Sequence, residues 1–292
     1  MDTKNMDLRP DWTQDQYHHD YKIDLSNNVC YDAALPIYEF NYNTYSDASK
    51  CYKILSDYHG VNTRQLAIGL GLSELIMRIM LYVKEKGWSF SSYHNSWQPV
   101  HMCQKLYQIP HGNDVVFISN PHGTNGTIIE DYSELMQKHK LIIIDESYAD
   151  FTTVPEVKLA TPQFLVLKTL SKSIALPGAR FGWAIGHEVM IHEIQNMRPA
   201  QVCIGGMENE LVSILDEIPN HVKRMNQTKA YIEKTYHCIP SHGNYVLIKG
   251  YEKFQRHYHL KELDGHARMA LINRSMVTKS ALDKEHAFFN RD

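Results

Sequence analysis

The chain of 292 residues has 43% hydrophobic residues, enough for a sizeable core, and its 30 basic against 33 acidic residues leave a net charge of −3, with no basic surplus for nucleic acid or an anionic membrane surface. The N-terminus lacks an apolar signal core and no run reaches the ~18 apolar residues of a membrane span, so a cytoplasmic protein with small-molecule partners is expected. Five cysteines, never spaced Cys-x-x-Cys, argue against a disulfide framework or a zinc site, and the seventeen histidines form no ligand spacing with carboxylates, so no metal is expected.

Residues 1–40 read as an irregular arm. Tyr45-Ser-Asp-Ala then opens a helix with Ala48, Cys51 and Leu55 on one face. Apolar runs follow at Leu66-Ala-Ile68, Trp88-Ser-Phe90, Val115-Val-Phe-Ile-Ser119, Leu141-Ile-Ile-Ile144, Phe164-Leu-Val-Leu167 and Gly182-Trp-Ala-Ile185. They are continuous rather than alternating, as expected of strands buried on both faces. Helical periodicity lies between them: Leu72, Leu75, Ile76, Ile79, Met80 and Val83; Val100, Cys103, Leu106 and Tyr107; Tyr132, Leu135 and Met136. Strands alternating with helices predict an α/β fold with a mostly parallel central sheet flanked by helices. After Gly186 the texture changes to a long helix over about residues 207–236, one strand at Asn244-Tyr-Val-Leu-Ile248, and a weakly patterned, histidine-rich tail. The expected organisation is an arm (1–40), a large domain (41–200) and a small C-terminal α/β domain (201–292).

In such sheets ligands bind beyond the carboxyl ends of the strands, so the residues just after each run carry the functional information. After Ile68 comes Gly69-Leu-Gly-Leu-Ser-Glu74, a glycine turn leading into a helix whose free N–H groups and dipole suit a phosphate. After Ile118 comes Ser119-Asn-Pro-His-Gly-Thr-Asn-Gly126, and after Ile144 comes Asp145-Glu-Ser-Tyr148. After Leu167 comes Lys172, with hydroxyls at Thr169 and Ser171 and a guanidinium at Arg180. A lysine beside phosphate-binding hydroxyls and an arginine suits Schiff-base chemistry. Each element has an ordinary counterpart: Gly-x-Gly is a common tight turn, Asn-Pro starts turns, and an aspartate after a strand caps helices. Their joint order at the ends of strands in one sheet is what points to a site.

Those segments, with Gly178-Ala-Arg-Phe-Gly182, closely resemble the fold-type I pyridoxal-phosphate enzymes, nearest the histidinol-phosphate aminotransferase branch, over about residues 22 to 275. Leu25-Ser-Asn-Asn28 looks like that family's N-terminal arm and Tyr45-Ser-Asp47 like the start of its first helix. The resemblance implies that Lys172 holds pyridoxal 5′-phosphate as a Schiff base and shuttles the substrate proton, while Asp145 pairs with the pyridine nitrogen. It implies that Asn120 and Tyr148 bond the phenolic oxygen and that Tyr93 stacks on the ring, a core tyrosine being the less favoured alternative for Tyr93. The phosphate would be met by the Leu72 and Ser73 amides, Thr169, Ser171, Arg180, and Tyr45 of the partner subunit in a homodimer with a shared active site. Arg268, with Arg274 nearby, resembles the arginine that grips the substrate carboxylate, and Asn28 could line the same pocket or act as a cap.

The implied activity is a ping-pong aminotransferase moving an amino group from an amino acid or amino alcohol phosphate to a 2-oxo acid. A decarboxylase on the same scaffold, of the threonine-phosphate type, and a catalytically idle cofactor-binding module are the alternatives. The chain departs from the family pattern in a shortened C-terminal part, in Val29-Cys-Tyr-Asp32 where the arm usually has Pro-x-Gly, and in His122-Gly-Thr-Asn-Gly126 where the turn usually closes as Asn-Pro-Thr-Gly.

Overall fold

The structure, a computed structural model, describes residues 23–24, 47–93, 97–155, 157, 161–198, 206–253 and 258–271. A two-residue strand, β1 (Ile23–Asp24), precedes helix α1 (Ala48–His59). Asp47 caps α1 through its side chain (2.9 Å to the Ser49 N–H), and Gly60 ends it in the left-handed conformation that glycine adopts without a Cβ clash. Strand β2 (Leu66–Leu70) runs directly into helix α2 (Gly71–Glu85). Then come β3 (Phe90–Ser92), α3 (Gln98–Leu106), β4 (Val115–Ser119), α4 (Ser133–Lys138), β5 (Leu141–Asp145), β6 (Phe164–Thr169), the short α5 (Leu170–Ser173), β7 (Phe181–Gly186) and α6 (Glu188–Asn196). Strand β3 begins at the last residue of the expected Trp88–Phe90 run: Ser89 is bound by the Asp114 carboxylate (2.9 Å to its N–H), and pairing with β4 begins at Phe90.

Six of these strands form one sheet in the order β2-β7-β6-β5-β4-β3. The β3–β4, β4–β5 and β5–β6 pairs are parallel, whereas β7 runs against both its neighbours. The continuous apolar runs are explained by burial of both faces. Val115, Phe117, Leu141, Ile143, Leu165 and Leu167 pack under α2, α3 and α6. The alternate residues Val116, Ile118, Ile142, Ile144 and Val166 form a second core with Tyr132 on the opposite face. On β2 and β7 that opposite face, Leu66, Ile68, Phe181, Trp183 and Ile185, packs with α1 and the long helix α7 (Met207–Thr235).

Side chains occupy the open edge of β2. Leu66 O accepts from Gln195 (2.6 Å), Ile68 O from Arg78 (2.7 Å), Ile68 N–H donates to Tyr52 (3.3 Å), and Leu70 N–H to Glu74 (3.2 Å). Covering an edge in this way withholds it from pairing with another chain.

Beyond α7 lies a second, antiparallel sheet in the order β11-β12-β9-β8, made of β8 (Cys238–Ile239), β9 (Tyr245–Ile248), β11 (Lys261–Leu263) and β12 (His266–Ala270). A further two-residue strand, β10 (Tyr258–His259), pairs in parallel with β1. The weakly patterned tail thus holds a hairpin, β11–β12, turning at Asp264-Gly265, where Gly265 has a positive φ of 69°. Its inner residues Ala267, Met269, Ala270 and Leu271 share a core with Val246, Ile248, Met225 and Ile232, and Phe151 from the first sheet's loops joins them.

Candidate active site

Because β2, β3, β4, β5 and β6 all point the same way, their carboxyl ends gather along one edge of the sheet, and antiparallel β7 starts there. Tyr93, Asn120, Asp145, Thr169 with Lys172, the Gly71-Leu72-Ser73 turn and Arg180 therefore come from six different strand ends to one edge. Asn28 and Tyr45 lie outside the described residues.

One end of this edge is built for an anion. Helix α2 starts at Gly71 with no side-chain cap on Leu70, so its first N–H groups and the positive end of its dipole face outward. Leu70 pairs with Phe181, which brings Arg180 alongside. Arg180 has a positive φ of 49°, and its guanidinium lies so close to Gly71 that a Cβ there would meet Nη2 at 2.5 Å. Gly182 is tight as well, since its Cβ would sit 3.1 Å from the Leu72 backbone nitrogen. Thr169, buried at the end of β6, receives the Ser171 N–H (3.1 Å), and its hydroxyl lies 3.0 Å from that of Ser171. A helix N-terminus and a guanidinium pressed together, with hydroxyls beside them and no carboxylate paired to Arg180 among the described residues, form a donor set that fits a phosphate.

The centre of the edge holds Asp145, 7% exposed at the end of β5. Burial raises its pKa, while hydrogen bonds from Ser147 and the positive charge of Lys172 act in the opposite direction. Ser147 was not singled out from the sequence, and it donates to Asp145 Oδ1 through both its backbone N–H (3.0 Å) and its hydroxyl (2.5 Å). Glu146 instead pairs with Lys168 at 2.7 Å. Lys172 is half-buried in α5, one turn past the end of β6. Tyr148 is buried beside Gly123, whose absent side chain makes room for it: a Cβ there would lie 3.2 Å from the Tyr148 ring.

Asn120 stands at the end of β4 on the same edge. It is completely buried, and both N–H donors of its amide are engaged, one with Ile129 O (2.9 Å) and one with the Tyr132 hydroxyl (2.5 Å), while its oxygen accepts from Ile129 N–H (2.9 Å). These bonds pin the loop from 120 to 132.

The C-terminal sheet supplies the site's other wall. Arg268, on β12, donates to Gly123 O (2.6 Å) and lies 5.6 Å from the centre of the Tyr245 ring. Tyr245 is fully buried, meets Tyr148 edge-on at 5.7 Å and donates to His122 O at 2.6 Å. The sequence reading treated Tyr245 only as a strand residue; the available signal was a phenol opening a strand next to Asn244. Tyr93 is exposed at the end of β3, with its N–H on Phe117 O (2.8 Å).

Comparison with known proteins places the chain in a family. Residues 82–263 match the family model for aminotransferase class I and II, and the chain belongs to that family. It is 25% identical over 248 residues to histidinol-phosphate aminotransferase 1 of Bacillus cereus, a match covering 69% of this chain and 66% of that relative. The chain's match thus spans just under two thirds of that relative's length. Two solved structures share the fold. One is the histidinol-phosphate aminotransferase of Sinorhizobium meliloti in complex with pyridoxal-5′-phosphate (TM-score 0.72, 13% identity, 94% of each chain covered). The other is the aspartate aminotransferase of Thermotoga maritima (TM-score 0.71, 14% identity, 95% of this chain and 94% of that one).

Proposed function

We propose that the chain is a pyridoxal-phosphate-dependent aminotransferase of the histidinol-phosphate type, exchanging an amino group between an amino acid or amino alcohol phosphate and a 2-oxo acid. The observation that carries this reading is the buried Asp145 carboxylate at the same sheet edge as Lys172 and the anion cradle. Arg180, Thr169, Ser171 and the Leu72 and Ser73 amides would hold the cofactor's phosphate, Asp145 its ring nitrogen, Tyr148 its phenolic oxygen, and Tyr93 one ring face. Bound there, pyridoxal phosphate supplies an electron sink for bonds to an amino acid Cα.

Lys172 Nζ would hold the cofactor covalently and would serve as the base and acid that moves the substrate Cα proton. Arg268 grips the substrate carboxylate in a planar pair, held in place by Gly123 O and the Tyr245 face. The protein works as a homodimer in which Tyr45 of the partner subunit reaches the phosphate.

The test is product analysis with the cofactor, a panel of amino donors including histidinol phosphate, and 2-oxoglutarate as acceptor. Glutamate formed in step with loss of donor is expected. Carbon dioxide release without a new amino acid would move the assignment to the decarboxylases, and no turnover of any donor would leave a binding module.

A further inference from the structure

Burial of Asp145 works against the role assigned to it. A carboxylate removed from water is driven toward its neutral form, yet an electron-withdrawing pyridinium needs an anion beside it. One of its oxygens must also be left facing the ligand. Both requirements are met by the residue two positions on. The Ser147 N–H and hydroxyl both donate to Oδ1, which fixes the carboxylate plane and leaves Oδ2 as the remaining acceptor. Any residue at 147 supplies the backbone bond, as in an ordinary aspartate turn. Only a hydroxyl supplies the second. Ser147 is itself buried, so that hydroxyl has little water to exchange with.

We propose that the Ser147 hydroxyl is a positioning group for the cofactor ring, holding Asp145 ionised and turned so that Oδ2 meets the ring nitrogen. This rests on the pyridoxal-phosphate reading above. Ser147 touches neither cofactor nor substrate and acts through Asp145.

The experiment measures equilibrium binding of two compounds, pyridoxal phosphate and its analogue with C–H in place of the ring nitrogen. Each is titrated into apoprotein of the wild type, Ser147→Ala and Ser147→Thr, with unfolding midpoints checked in parallel. Loss of a hydrogen bond to a charged group predicts that Ser147→Ala weakens pyridoxal phosphate binding about tenfold. Ser147→Thr, which keeps the hydroxyl, should recover most of it. The analogue cannot use Asp145, so wild type and Ser147→Ala should bind it equally. Equal weakening for both compounds, or none for pyridoxal phosphate, overturns the proposal and leaves Ser147 a packing residue. Wild type that binds neither compound overturns the cofactor reading itself, and this inference with it.

Discussion

The carboxyl edge of the six-stranded sheet and the middle of α7 each bury an ionisable side chain, Asp145 in one place and His221 in the other. Asp145 is surrounded by groups that favour its charge: two donors on Ser147 and the cation of Lys172. Neither ring nitrogen of His221, fully buried two residues after Pro219, has a hydrogen-bond partner among the described residues, and burial pushes its pKa down to about 4. Arg224 pushes the same way and Glu217 opposes it. The two regions respond to acid in opposite senses. A carboxylate whose folded pKa is raised makes the fold relatively more stable as pH falls, whereas a histidine whose folded pKa is depressed makes it less stable as pH falls through the unfolded value of about 6.5 toward 4. A buried acid with donors and a cation around it marks a candidate site, and a buried neutral base without a partner marks a structural weak point.

The comparison is sharpened first at Asp145. Asp145→Asn keeps the shape and removes the charge, and kcat should fall about 10²–10³-fold, the scale for losing one preorganised electrostatic partner. An unchanged kcat would remove Asp145 from the site.

Asn120 comes next, since it lies at the same edge as Asp145 and its amide bonds the loop to Ile129 and Tyr132. Asn120→Ala strands the Ile129 N–H and C=O and the Tyr132 hydroxyl, and should cost about 3 kcal/mol in urea unfolding. Cofactor affinity measured well below the midpoint should move little. A stable variant with lost affinity would indicate a direct contact.

At His221 the expected effect is about 2 kcal/mol. Between about pH 7.5 and about pH 5 the wild type should lose that much more stability than His221→Leu, which has nothing to protonate. Parallel curves for the two proteins would contradict the buried neutral histidine. Smallest is Tyr245→Phe, which keeps the ring under Arg268 and deletes the bond to His122 O, for about 1 kcal/mol of stability and a modest rise in donor KM.

Much of this was legible in the sequence, for reasons that differ by region. The runs around Val116, Ile143 and Val166 were readable because burial on both faces forces continuous apolar strands, and the position of Asp145 after Ile144 followed from that. The limits of α7 were visible in its 3.6-residue pattern despite Pro219. Hairpin β11–β12 was not, because its outer strand, Lys261–Leu263, is mostly solvent-facing and polar; only Asp264-Gly265 advertised the turn. The bonds of Asn120 to Ile129 and Tyr132 were not legible, because chain order places a residue at a strand end without saying which way its amide turns. The partnership of Ser147 with Asp145 depends on a side-chain rotation that spacing alone does not encode.

The central claim is that Lys172 is the covalent anchor, and borohydride trapping tests it most directly. Protein incubated with pyridoxal phosphate, reduced, digested and mapped by mass spectrometry should carry one pyridoxyl group on the peptide containing Lys172, and Lys172→Ala should carry none at that site. A label on another lysine, or a label on the variant equal to that on the wild type, would contradict the account.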